Sequence, residues 1–357
     1  MKKTGFLIRC LLILILVSSN LYSEKTIPLN LEKVLEIGRN DLMFFSITSV
    51  YEDRDSNIYL LDQIACKVYK FSPDGKLLLF FGSKGQGPGD FERPHDIYVT
   101  DTGRIVVCEE RSFISFFDKY GKFIKRLNVQ KGLALTYMND DLYYGWVWGK
   151  ENRDQILIDS QSNTAASFFS VAIYATSISL PDESGRLVLF NYSEKEYTPS
   201  LLFSRYKGRS AVGVGNHYEI LILDKKGKVL SRINRDIKPQ RINSREKKYF
   251  IKKLGEMKNW PRQVIEKIEK KIPKVKTYYD KILISEKHLF VFRIKNDATD
   301  EDSPFPIDVY SLEGEFLGTS QIPSKPLLIS DKFMYISETD ENDNLTLVKF
   351  RYHLSEK

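Results

Sequence analysis

Histidine is nearly absent from this chain, with four in 357 residues, and cysteine is scarcer still at three. That scarcity leaves no Cys/His ligand spacing from which a structural zinc site could be built. Short catalytic signatures are missing too. No Gly-x-x-x-x-Gly-Lys-Ser/Thr loop, no Gly-x-Ser-x-Gly elbow and no His-Glu-x-x-His pair occurs, so no nucleophile and base stand at a defined spacing. Nor does any apolar run approach the ~20 residues that span a bilayer. The longest begins near the N-terminus, where Lys2 and Lys3 form a basic start, Arg9 interrupts, and Leu11 to Val17 supply a short apolar core before Ser19 and Ser23. Residues 1–23 therefore read as a secretory leader cut after Ser23, with a retained anchor as the alternative. Cys10 lies ahead of the apolar core, which does not fit a lipidation signal. Losing Lys2, Lys3 and Arg9 lowers the formal charge from +7 to +4, and leaves Cys66 and Cys108. Both sit in or beside apolar strand patterns, so two buried thiols are expected rather than a disulfide.

Aromatic residues are abundant, at 13%, and strand-like runs dominate, which favours an all-β protein. The most informative stretch is Phe80 to Val107, where a glycine-rich loop connects one strand pattern directly to another. Gly82, Gly85, Gly87 and Gly89 allow positive φ or close backbone approach, and Pro88 and Pro94 stiffen the path. No helix follows whose N-terminus could hold a phosphate. The loop Gly85-Gln86-Gly87-Pro88-Gly89-Asp90-Phe91 between Phe81-Gly82 and Pro94 resembles the NHL-type repeat of β-propellers. The second half of that repeat recurs as well: Asn57 to Asp62 and Val68 to Lys76 return as Gly103 to Glu109 and Ile114 to Lys122, with Gly75 and Gly121 46 residues apart. That period suits a four-stranded blade. The motifs cover Ile47 to Val129, and the resemblance to secreted bacterial six-bladed propellers implies the fold of the remainder.

In chain order, Glu32 to Gly38 is expected to be an end strand that completes the last blade, since closure removes open sheet edges. Blade one spans Ile47 to Phe81 and blade two Pro94 to Val129. Blade three takes Leu133–Met138, Leu142–Trp148, Gln155–Ile158 and Ser167–Ala175, with Tyr143, Tyr144, Trp146 and Trp148 as packing between blades. Blade four takes Arg186–Tyr192, Leu201–Tyr206, Tyr218–Asp224 and Lys228–Ile233, leaving Lys207 to His217 as a loop. Apolar spacing then becomes helical over Ser244 to Lys276, with Pro261 opening a second helix and Pro273 ending it. This segment carries twelve Lys/Arg against four Glu. Blades five and six fill Lys281 to Tyr352. The expected architecture is an all-β, six-bladed β-propeller over residues 24–357 with a two-helix insertion at 244–276 between blades four and five.

Function is less legible. His95 opens an inner strand, from which a side chain can reach the central channel. Asp297, Asp300 and Asp302 in blade five, and Glu338, Asp340 and Asp343 in blade six, lie in equivalent loops on one face. The helical insertion should share that face and form a partial lid, anchored mainly by Ile265 and Ile268. These seven residues are the candidate ligand face, with catalytic residues unassigned and no metal ligands assigned. No cofactor is expected, although oxygen-rich loops suit Ca²⁺ and His95 leaves room for a channel metal. The reading is an exported, periplasmic or extracellular, non-enzymatic propeller that binds a protein or glycan. The alternative is a metal-dependent lyase or hydrolase working at the channel. Export makes nucleic acid an improbable partner for the basic helices, and no transmembrane span remains once the leader is removed.

Overall fold

A computed structural model describes residues 25–38, 42–110, 112–129, 133–139, 141–148, 152–159, 161, 163–172, 177–181, 187–191, 201–258, 261–340 and 342–355. The expected leader, 1–23, lies outside them. β1 (Leu29–Ile37) comes first and waits for its partner at the other end of the chain. Blade one is the antiparallel meander β2 (Ile47–Glu52), β3 (Ile58–Asp62), β4 (Lys67–Phe71) and β5 (Leu77–Phe81). Blade two repeats it with β6 (Pro94–Val99), β7 (Ile105–Glu109), β8 (Phe113–Phe117) and β9 (Phe123–Asn128). Blade three follows with β10 (Leu133–Tyr137), β11 (Leu142–Trp148), β12 (Asn152–Asp159) and β13 (Thr164–Ala172).

A two-stranded hairpin, β14 (Ser177–Pro181) and β15 (Leu187–Asn191), stands between blades three and four. Blade four is β16 (Leu201–Tyr206), β17 (Arg209–Val214), β18 (Glu219–Leu223) and β19 (Val229–Asn234). After it come α1 (Ser244–Lys258) and α2 (Arg262–Lys271), then blade five: β20 (Tyr279–Ile284), β21 (His288–Arg293), β22 (Phe305–Ser311) and β23 (Phe316–Ile322). Blade six is β24 (Leu328–Ile329), β25 (Phe333–Thr339) and β26 (Leu345–Leu354), completed on its outer edge by β1. Contacts of β24 with both β20 and β2 close the ring. The chain is a six-bladed β-propeller with its insertion between blades four and five.

The closure expected from the sequence is present. β1 pairs antiparallel with β26 from Leu29 opposite Leu354 to Ile37 opposite Leu347. The segment just before it bridges to Thr319 on β23, so the N-terminal strand ties blade six to blade five as well. Blade four differs from the sequence reading. Residues 187–191 belong to the separate hairpin, and the supposed loop contains β17. Lys207 (φ 43°) and Gly208 (φ 78°) form a two-residue turn that sets Tyr206 opposite Arg209. Two consecutive positive φ angles match the type I′ turn, whose twist suits a tight hairpin. Lys-Gly is a weaker turn signal than Asn-Gly, which is why the hairpin was not apparent from the sequence.

Seams between blades are apolar. Phe91 is fully buried among Tyr59, Val68, Cys66 and Phe117, joining blade one to blade two. Gly82 sits at φ 94°, and a Cβ there would fall 2.4 Å from the Phe91 ring. This glycine is required by both backbone and space. Asp90 accepts the N–H of Gly87 at 3.1 Å and holds the loop compact. Between blades three and four, Tyr144 stacks on Phe203 at 4.0 Å, as the aromatic cluster suggested. Trp148's side chain lies outside the described residues. Cys66 and Cys108 are free and buried.

Candidate functional site

In a four-stranded meander the first and third turns open on one end of the ring, while the second turn and the links between blades open on the other. The two ends can therefore be described separately. The insertion and both acidic loops occupy the linker end, as the sequence reading required.

At that end the helices are held to blade five by charge. Asn243 caps α1 by accepting the N–H groups of Arg245 and Glu246 at 2.9 Å, while Glu246 reaches back to the N–H of Asn243 at 3.1 Å. This reciprocal pair is a capping box. Glu246 also accepts the N–H of Ala298 at 3.0 Å and pairs with Lys276, neither side chain being exposed. Lys276 donates in addition to the carbonyls of Lys295 (3.2 Å) and Asn296 (2.8 Å). Arg245 faces Asp297 at 3.7 Å, and the Tyr249 hydroxyl donates to Glu301. The anchor thus differs from expectation. Phe250, Leu254, Val264 and Ile268, with Ile251, Ile265 and Ile272, form a small core composed of insertion residues. Among the described residues these apolar groups fasten the helices to each other, and a buried polar hub fastens them to the propeller.

Three of the six candidate acidic residues, Asp297, Asp300 and Asp340, use their carboxylates to shape their own turns. Asp297 accepts the Thr299 N–H at 2.9 Å and hydroxyl at 2.7 Å, and these bonds hold its carboxyl below the ordinary range. Asp300 accepts the Ser303 N–H at 3.1 Å. Asp340 accepts from Asn342 at 2.8 Å and Asn344 at 2.9 Å, with Asp343 in the left-handed region at φ 60°. Glu338 lies at the end of β25, and Asp302 and Asp343 are exposed. Each loop gathers its own three candidates. Among the described residues no group of three or more His, Cys, Asp or Glu has a geometry that could hold a metal ion.

His95 starts the inner strand of blade two, where burial lowers its pKa and Asp96 and Glu110 pull weakly the other way. The channel beside it is crossed by an ion pair. Arg205 of blade four meets Asp96 of blade two at 2.8 Å and donates to the Ile97 carbonyl at 3.1 Å. Its guanidinium lies 4.9 Å from the Tyr98 ring centroid. Ser49 of blade one donates to Asp96 at 3.1 Å. Three blades thus meet across the channel through one half-buried charge pair.

The turn end holds a cavity of about 1060 Å³ lined mainly by first-turn residues of blades one to four and six, joined by Lys225 from the third turn of blade four and by Arg351 of β26. None of the seven candidates lines it. Its wall carries Tyr51, Tyr98, Tyr137 and Tyr206, from the inner strands of four successive blades. Tyr51 and Tyr98 meet edge to face at 4.9 Å, and Tyr98 and Tyr137 lie 5.1 Å apart. Burial first, then Asp331, push the Tyr206 phenol up to about 12. Glu52 accepts from Ser330 at 3.2 Å and from Tyr335. Around the rim, Arg54 pairs with Asp101 at 2.7 Å, and Lys207 bridges Glu286 at 3.1 Å and Asp331 at 2.8 Å. Sequence reasoning missed these residues, yet a signal existed: tyrosine recurs just before the first turn in Val50-Tyr51-Glu52, Ile97-Tyr98-Val99, Thr136-Tyr137-Met138 and Arg205-Tyr206-Lys207.

Comparison with known proteins supports the architecture. Residues 34–194 match a family model described as a 6-bladed beta-propeller. A candidate exported protein of Bacteroides fragilis superposes with TM-score 0.56 at 13% identity, covering 91% of this chain and 95% of that one. A member of the DUF4221 family from Bacteroides vulgatus gives TM-score 0.54 at 13% identity, covering 94% of this chain and 100% of that one. At such identities the likeness concerns the fold. No curated protein matches the chain. Among the described residues no helix is long and apolar enough to cross a membrane.

Proposed function

We propose that this six-bladed propeller is an exported, non-enzymatic binding protein that seats a neutral glycan in the cavity at its turn end. The observation that carries the reading is the tyrosine-walled cavity of about 1060 Å³, a volume at the upper end of small-ligand sites. Tyr137 and Tyr206 are buried while Tyr51 and Tyr98 are partly exposed, and these two offer a flat apolar face and a hydroxyl on one rigid side chain, which suits a ring bearing hydroxyl groups. Charge decides between ligand classes. Arg54 with Asp101 and Lys207 with Asp331 are already paired, and Lys225 and Lys332 add a modest positive excess to the lining, so the rim's paired charges serve chiefly as hydrogen-bonding groups. A strongly ionic ligand would have to break these pairs, whereas a neutral polar one can bond to them as they stand. The metal-dependent alternative keeps His95 as its channel candidate, but the adjacent Asp96 is committed to Arg205 and Ser49. Export is supported by the basic and apolar start of the chain and by the name of the B. fragilis neighbour.

The test is thermal-shift screening of the purified protein against neutral oligosaccharides, followed by titration calorimetry of any hit. The stabilisation should vanish in a variant with Asp101→Ala and Lys207→Ala, whose unliganded melting should change little. A panel without hits, or hits insensitive to the rim substitutions, would sink the reading.

A further inference from the structure

The polar surface of α2 is divided by sign. At roughly 100° per residue, Val264, Ile265, Ile268 and Ile272 fall on one face, Glu266 and Glu269 flank it on one side, and Lys267, Lys270 and Lys271 occupy the other. Both glutamates are already engaged: Glu266 with Arg262 at 2.9 Å and Glu269 with Lys247 at 3.5 Å. Lys267, Lys270 and Lys271 are exposed, and none has an ion pair to a carboxylate among the described residues. Past Pro273, exposed Lys274 extends the series, and Ile242 N–H bonding to the Lys274 carbonyl at 3.1 Å draws in exposed Arg241. The helix dipole favours Lys270 and Lys271 in the last turn, but gives no reason for Lys267, Lys274 or Arg241. These five cations, none paired with a carboxylate among the described residues, form a ridge along α2 and the Arg241–Val275 bridge beyond its end, on a unit held by the buried Glu246–Lys276 pair.

We infer that this ridge is a second binding site, separate from the cavity, and that it takes an acidic polysaccharide. The partner class follows from what the helices lack. An amphipathic helix enters a lipid surface with its apolar face, and here Val264 and Ile268 are fully buried in the insertion's own core. A tight protein interface needs apolar or aromatic anchors at its centre, and among the described residues the ridge offers only Val275, 40% exposed. A flexible row of lysines with little exposed apolar surface is suited to a hydrated polyanion, where attraction comes from charge and counterion release.

The test uses the purified full chain and fluorescently labelled polygalacturonate, with neutral dextran and anionic phospholipid vesicles as comparison probes. Binding to polygalacturonate should weaken steeply with salt. Replacing Lys267, Lys270 and Lys271 together by Gln should reduce affinity by roughly a hundredfold, on the scale of one lysine contact each at a charged surface. A control with Lys76→Gln, Lys119→Gln and Lys122→Gln, equal in charge but located on the third turns of blades one and two and outside the cavity lining, should lose no more than about twofold. All six positions are exposed or partly so, and circular dichroism should show both variants folded. Equal losses in the two variants would reduce the effect to overall charge and overturn the site. Tighter binding to vesicles than to polygalacturonate would replace the proposed partner with a membrane surface. Absence of polygalacturonate binding at low salt would also overturn it. Loss of oligosaccharide binding at the cavity would leave this result untouched, so the two readings fail separately.

Discussion

At the linker end of the ring, Glu246 and Lys276 pair with neither side chain exposed. At the turn end, Arg54 and Asp101 pair with side chains 70% and 74% exposed. The two pairs have the same chemistry and opposite consequences. In water the exposed pair gains little and is screened, so it can be opened by a ligand at small cost. Out of water the buried pair must be complete, because removing one partner leaves an unsatisfied charge. The linker end therefore works as a fixed platform, with Asn243, Glu246, Lys276 and the Asn296 carbonyl in one network. The turn end keeps an open concavity ringed by exchangeable partners.

The largest test of this contrast removes what both ends share. Deleting Lys25 to Gly38 strips β1 from β26 and releases Thr319, exposing a sheet edge. Aggregation or loss of a single cooperative melting transition is expected in calorimetry, and an unchanged melt would mean that the strand is dispensable. Next in size is Glu246→Ala, which should cost about 3–5 kcal/mol and free the helices for proteolysis within 244–271. A loss below that of an exposed pair would erase the difference between the ends. Gly82→Ala, also at the linker end, meets the Phe91 ring and the Cys66 carbonyl at a positive φ. A loss of about 1–3 kcal/mol in denaturant unfolding is expected.

His95 provides a pH test. Burial depresses its folded pKa, so below about 6.5 the unfolded chain takes up a proton that the folded chain resists. Its contribution is therefore present above that pH and is lost as pH falls through the depressed folded value. Melting temperature should fall between pH 7 and 5, and less so in His95→Gln; parallel profiles would show that another group is responsible. The smallest effect belongs to the turn end: Arg54→Ala should change stability by less than about 0.5 kcal/mol. A larger loss would show the rim to be structural.

Local pattern accounts for much of what could be read in advance. The Gly85 to Phe91 loop, the turn at Asp118 with left-handed Gly121 and the repeated strand runs of blades one and two depend on neighbours in sequence, so residue types alone encode them. The hairpin at β14–β15 and the Lys207-Gly208 turn were missed because their signals are weak locally and are selected by pairing with distant strands. Asp297 and Asp340 looked like ligands because acidic residues serve equally as metal donors and as acceptors for turn N–H groups, and only the fold shows which bonds are made. By itself the sequence determined two blades, an end strand to close the ring and a basic helical pair, and its resemblance to six-bladed propellers implied the other four blades. Tertiary structure decided that Glu246 and Lys276 lie out of water, that Arg205 crosses the channel to Asp96, and that tyrosines from four blades share one cavity wall. Those features join residues far apart along the chain, and no local preference specifies such a meeting until the ring closes and excludes solvent.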